Sequence, residues 1–211
     1  MEQTTIDRQT YRADPCGASS LPFWKAAALS LPEGMRILRQ DAFVGVPRGY
    51  VDAVYFKLLH RLNALVPPCV PAGYSWTALD TEGFAAHINA CYDDIGVTAE
   101  ELSQSRRRAV FRDDLRVALR CDADGEIAAT GIGELDASLG EGTLEWIQVS
   151  PAHRRRGLGE AVVRELLRRM RPLADFVTVS GRADDPLRPA ALYRRCGFEG
   201  EVLWHILRKT D

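Results

Sequence analysis

"SPAHRRRGLGEAVV", Ser150 to Val163, sets three consecutive arginines and two glycines where a strand-like run gives way to a helical one. Neighbouring guanidinium groups repel, and glycine inside a helix costs about 1 kcal/mol relative to alanine. Such a cluster needs a compensating role, and the candidates are an anion, a nucleic acid or chance. On one side stands "LEWIQVS", which reads as a strand. On the other, Val163, Leu166, Leu167 and Met170 recur at the spacing of a helix face, with Glu165 and Arg169 one turn apart. A strand that feeds directly into a helix leaves backbone N–H groups free at the positive end of the helix dipole. Glycines let a ligand approach those groups closely, and the arginines add long-reach positive charge, so the stretch reads as an anion cradle.

Two familiar cradles do not fit. A dinucleotide-binding loop needs G-x-G-x-x-G, but Val162 stands where the third glycine belongs. A P-loop needs G-x-x-x-x-G-K-[ST], and the stretch holds no lysine.

The flanking sequence can be followed element by element. "YSWTALD" from Tyr74 fits a short strand, and "TEGFAAHINACY" puts Phe84, Ile88, Cys91 and Tyr92 on one helical face. "TAEELSQSRR" opens with Thr98 and Glu101 at capping-box spacing. "LRVALRC" alternates, with Leu115, Val117, Leu119 and Cys121 facing one way and the arginines the other. After the "DADG" turn, "EIAATGIGEL" returns as its antiparallel partner. Beyond the cradle, "DFVTVS" is a strand, "RPAALYRRC" a short helix and "VLWHILRK" a closing strand. The order is that of an α/β fold with a mixed, mostly antiparallel sheet, hairpins in its middle and a crossover helix behind.

Residues 1 to 72 read as an N-terminal extension, and residues 73–211 as the main domain. Pro15, Pro22 and Pro32 break the first part into short pieces. Val51, Val54, Tyr55, Leu58, Leu59, Leu62 and Leu65 recur at three- and four-residue steps, which predicts one amphipathic helix ending at the stiff "VPPCVP" connector. This extension is expected to pack on the main domain as cover, or to shape an acceptor pocket.

A formal net charge of −2 gives no global excess of positive charge for nucleic acid, so the basic cluster is read locally. The arginines at 106–108, 154–156, 164, 168, 169 and 171 leave a nucleic-acid module as the weakest alternative. No apolar run approaches the ~20 residues of a membrane helix, and the polar start lacks the apolar core of a secretory signal. Cys16, Cys69, Cys91, Cys121 and Cys196 are odd in number with no C-x-x-C pair. This speaks against a metal site or a disulfide framework and for a reducing cytoplasm.

The cradle also resembles the coenzyme A loop of the GNAT acetyltransferase superfamily, whose [QR]-x-x-G-x-[GA] motif Arg154, Gly157 and Gly159 match in full. Tyr193 stands 34 residues after Gly159, in "ALYRRCGF", which resembles the superfamily's second signature. The resemblance covers roughly Tyr74 to Lys209. More narrowly, "LEWIQVSP", "LYRRCGF" and "VLWHIL", with "DPC" and "SLPFWK" upstream, resemble a bacterial subgroup.

The resemblance implies a GNAT-like fold and acetyl-CoA as acyl donor, without a metal. The pantetheine arm would lie along the strand ending at Val149, and the pyrophosphate on the N–H groups of Arg155, Arg156, Gly157, Leu158 and Gly159. A small-molecule or peptide amine would attack the thioester directly. Tyr193 would protonate the departing thiolate. Glu145, four residues before Val149 and so on the same strand face, would act as base through water. Glu134 is a reserve base, and His153 a weak one. Asp93 and Asp94 are candidates to attract a cationic amine. "RADDPLRPAALY" lacks the asparagine that many members carry before the tyrosine helix. An acyl-CoA sensor without turnover is the alternative function, and a homodimer is compatible with the family.

Overall fold

The computed structural model describes residues 6–92 and 96–210. In chain order they form α1 (Arg8–Ala13), α2 (Pro15–Ala18), α3 (Phe23–Ala27), β1 (Met35–Arg39), β2 (Tyr50–His60), β3 (Tyr74–Thr77), α4 (Thr81–Cys91), α5 (Ala99–Ser105), β4 (Arg116–Cys121), β5 (Ile127–Asp136), β6 (Glu141–Val149), α6 (Leu158–Met170), β7 (Phe176–Arg182), α7 (Pro189–Arg195) and β8 (Glu199–Lys209). The strands make a mixed sheet flanked by helices. The chain divides into two compact units that do not follow chain order. One joins Met1–Arg61 to Thr178–Asp211, and the other is Leu62–Val177.

The first unit holds the main departure from the sequence reading. Tyr50–His60 is a strand, not the amphipathic helix predicted there, and the strand order in this unit is β1-β8-β2-β7. "VDAVYFKLL" carries β-branched and aromatic residues that suit a pleated surface as well as a helix stripe. Partners decide between the two. β2 pairs antiparallel with β8 from Tyr50↔Lys209 to Leu59↔Glu199, and β1 pairs with β8 from Met35↔Arg208 to Arg39↔Trp204. The N-terminal segment thus supplies two strands instead of a covering helix.

The proline-broken part forms short helices. Asp7 caps α1, Asp14 caps α2, and Pro15 takes the first helical position, where its missing N–H costs nothing. Fully buried Lys57 on β2 ties this part down. Its Nζ donates to Tyr11 Oη at 2.8 Å and to the carbonyls of Ser19 and Leu21 at 3.0 and 2.6 Å. Three acceptors match the three donors of an ammonium group, which makes its burial tolerable.

The second unit contains the antiparallel run β6-β5-β4-β3. α6 lies close on β5: a Cβ at Gly131 would stand 2.5 Å from Val162, and one at Gly133 2.3 Å from Met170. The predicted stripe Val163, Leu166, Leu167 and Met170 is buried, and Glu165 bonds Arg168 and Arg169 at 2.8 and 2.7 Å. Ile132, the next residue after Gly131, faces the other way into a cluster with Phe84, Ala85, Ile88 and Leu102 from α4 and α5. The capping box between Thr98 and Glu101 is present. Leu115, just before β4, and Val117, Leu119 and Cys121 on it are buried as the alternation predicts. Ala118 is buried as well, and the Arg116 guanidinium lies over the rings of Phe84 and Phe111.

Candidate active site

β6 ends at Val149, and the chain makes a single 3-10 turn over Pro151–His153 before α6 begins at Leu158. Two residues of this connection adopt left-handed backbone, Arg155 at φ 63° and Gly157 at φ 84°. The conformation suits glycine but costs an arginine roughly 1–2 kcal/mol, and strain of this kind concentrates at functional sites. No side chain caps the first turn of α6. Its N–H groups stay directed outward from a 13-residue helix, beside the positive end of the dipole.

The three arginines behave differently. Arg154 folds back on the protein: its Nε donates to the Val149 carbonyl at 3.2 Å and its Nη2 to the Cys91 carbonyl at 3.4 Å. It braces the loop against the C-terminus of α4. Arg156 donates to Tyr74 Oη at 3.0 Å, a neutral partner. Neither Arg155 nor Arg156 pairs with a carboxylate among the described residues. In contrast, Arg106 pairs with Asp113, Arg108 with Glu134, Arg164 with Glu160, and Arg168 and Arg169 with Glu165. Much of the arginine content that raised the nucleic-acid alternative is therefore neutralised within the unit.

The loop rests on a buried polar network. Ser150 Oγ donates to the Ile127 carbonyl at 2.8 Å and lies 2.9 Å from His87 Nε2. His87 Nδ1 lies 2.8 Å from Thr130 Oγ1, which accepts from Gln148 Nε2 at 2.6 Å. One neutral tautomer satisfies every bond, with Nε2–H donating to Ser150 and Nδ1 accepting from Thr130. Burial favours the same form and lowers the His87 pKa to about 4. His87, Thr130, Gln148, Ser150 and Tyr74 escape sequence reasoning, because their partners lie 18 to 82 residues away along the chain. The bare serine before Pro151 is their only local signal.

Val149 and the residues from Arg154 to Gly159 are thus brought together at one end of β6. Glu145 is half-buried on the same strand. The register passes from Ile132↔Trp146 to Gly133↔Leu144 and leaves Glu145 as the extra residue of a bulge. A bulge re-aims side chains, so two-residue alternation alone does not set the face of Glu145. The reserve candidate Glu134 is buried and pairs with Arg108 at 3.3 Å. His153 Nδ1 lies 3.1 Å from Tyr74 Oη. Asp93 and Asp94 lie outside the described residues.

Tyr193 belongs to the other unit. It lies on α7, 6% exposed, with its ring against Phe56 of β2 and against Phe198 at centroid distances of 6.2 and 5.7 Å. Phe56 also lies tightly over Gly181 of β7, where a Cβ would meet its ring at 2.7 Å. The N-terminal segment therefore supplies a wall of the Tyr193 environment. In the stretch without the asparagine, Asp184 is engaged by Arg182, and Arg188 takes left-handed backbone immediately before Pro189 opens α7.

No group of three His, Cys, Asp or Glu among the described residues could hold a metal ion, and none of their helices is long and apolar enough to cross a membrane.

Comparison with known proteins agrees with the fold. The chain is similar to the GCN5-related N-acetyltransferase of Sphaerobacter thermophilus, with a TM-score of 0.64 and 22% identity over 76% of this chain and 53% of that one. It is also similar to a GCN5-related N-acetyltransferase from Kribbella flavida, with a TM-score of 0.56 and 19% identity over 84% of this chain and 68% of that one. At such identities these likenesses speak for the fold, and the chain spans about half the length of the Sphaerobacter protein. Among curated proteins none matches. The acetyltransferase (GNAT) family model matches residues 75–198, more than half of the chain, spanning the cradle and Tyr193 together. The chain belongs to the acetyltransferase (GNAT) family.

Proposed function

We propose that this protein is an acetyl-CoA-dependent N-acetyltransferase that passes an acetyl group to a primary amine of a small molecule or peptide by direct attack. One observation carries the reading: a loop with two left-handed residues delivers uncapped helix N–H groups, beside Arg155, which has no carboxylate partner among the described residues. That combination suits a diphosphate. Gly157 tolerates the required φ of 84° without strain, and an acidic side chain there would bring negative charge to the anion position.

In the proposed reaction the amine nitrogen forms a bond to the thioester carbonyl carbon, and the carbon–sulfur bond breaks. The amine must first lose a proton, and Glu145 is the proposed acceptor through water. The departing thiolate must gain one, and Tyr193 is the proposed donor, since a free phenol, with a pKa of about 10, can give a proton to a thiolate. Ring packing against Phe56 and Phe198 supports that role by limiting the motion of the phenol. Five scattered cysteines, odd in number and without a C-x-x-C pair, suit a reducing compartment, which we take to be the cytoplasm.

The test is thermal unfolding with and without acetyl-CoA. At a hundred times its Kd a ligand adds about 2.7 kcal/mol, or roughly 5–10 °C for a chain of this size. The wild type is expected to shift and Gly157→Glu to stay where it is. A wild type that does not shift would overturn the reading.

A further inference from the structure

Tyr74 was read from the sequence only as the start of a strand, yet it touches two side chains of the cradle loop. Its hydroxyl accepts from Arg156 Nη1 at 3.0 Å and stands 3.1 Å from His153 Nδ1, with the two rings edge to face at 5.7 Å. A phenol oxygen that accepts from a guanidinium still has its own proton to give, and a neutral imidazole nitrogen can take it. The three side chains form one chain of hydrogen bonds: Arg156 to Tyr74 to His153. β3 pairs with β4 and ends this unit's strand order, so Arg156 is drawn toward the outer strand, while Arg154 is pinned back toward Val149 and Cys91. The cradle loop thus carries its positive charge in two directions. The helix start and Arg155 form one anion position, and Arg156 with His153 forms a second beside β3.

We propose that Tyr74 is a specificity-determining residue that holds Arg156 and His153 as a reader of a second phosphate, the ribose monophosphate of the coenzyme. The inference rests on the acetyl-CoA reading above. Coenzyme A has two anionic groups, the diphosphate and the ribose phosphate, and the latter carries nearly two negative charges at neutral pH. An arginine held in place by a neutral hydroxyl keeps its full charge and its remaining donors, whereas an ion pair with a carboxylate would cancel both. A buried or paired arginine would serve structure; a tethered and uncompensated one serves a ligand.

The experiment is isothermal titration of coenzyme A and of its form lacking the ribose phosphate into the wild type, Tyr74→Phe and Arg156→Gln. The wild type is expected to bind coenzyme A about tenfold or more tightly than the dephosphorylated form, the worth of a charge-assisted contact. Tyr74→Phe keeps the ring and removes one oxygen, and should cut that preference to about threefold without changing affinity for the dephosphorylated form. Arg156→Gln should reduce the preference at least as far. An unchanged preference in Tyr74→Phe would overturn the inference, as would an equal loss for both ligands, which would make Tyr74 a general support of the loop. If the wild type binds neither ligand, the coenzyme reading itself falls, and this inference with it.

Discussion

Arg154, Arg155 and Arg156 are chemically identical neighbours with different work. Arg154 is consumed by two backbone carbonyls, Arg155 accepts an unfavourable φ of 63°, and Arg156 is tethered to a tyrosine 82 residues earlier in the chain. The motif made all three visible, but only their contacts separate a brace from side chains without a carboxylate partner among the described residues. The same holds for the candidate acid and base. Tyr193 is buried between rings, which gives it a defined position; Glu145 sits on a bulge, where strand parity no longer says which way it points. Tyr193→Phe keeps the packing and removes the proposed proton donor. It is expected to lower kcat about a hundredfold while leaving the Kd for acetyl-CoA within about twofold, measured by steady-state kinetics beside calorimetry.

Among the elements, β2 shows how period can mislead. Eleven residues with apolar positions at steps of two, three and four satisfy a helix and a strand alike, and β8 and β7 settle the matter by flanking β2 with backbone to pair. The elements around the cradle were more legible. α6 has a long clean stripe, α5 a capping box, and β4 an alternating face with a turn behind it. α4 was legible as a helix but not as the carrier of His87, since a histidine on an apolar face gives no sign of what it will meet. Its burial makes a prediction. The folded pKa, about 4, lies below the ordinary 6.5, so the unfolded chain takes up the proton first. The stability held by neutral His87 is complete above pH 6.5 and is lost as the pH falls from 6.5 toward 4. Between pH 7 and 5 the loss should be about 2 kcal/mol, read from denaturant unfolding, and His87→Gln should abolish that part of the pH dependence.

For the molecule as a whole, the division into units cuts across chain order and within β7. The first unit cannot be assembled from either end of the chain alone. β8 pairs with β1 on one side and β2 on the other, and Trp204 of β8 donates to the Cys16 carbonyl at 2.9 Å. A chain starting at residue 73 would keep the arginine-glycine loop and Tyr193 but would leave both edges of β8 without partners and Tyr193 without Phe56. Exposed strand edges of this kind template aggregation. Such a chain is expected to be insoluble or to lack a cooperative melting transition, whereas the full chain melts cooperatively, as circular dichroism would show.

What the sequence determined by itself was local: the strand-to-helix switch at Ser150–Val163, its glycines and arginines, the capping box, and the order of elements from Tyr74 onward. Those features depend on residues within a turn or two of one another, where propensity and spacing are sufficient. The tertiary structure alone decided that Tyr50–His60 is a strand, that Arg154 braces while Arg156 is tethered, and that His87 is a neutral support under the loop. Each of these rests on partners far away in the chain, and a hydrogen bond or a strand pairing is a property of two places at once.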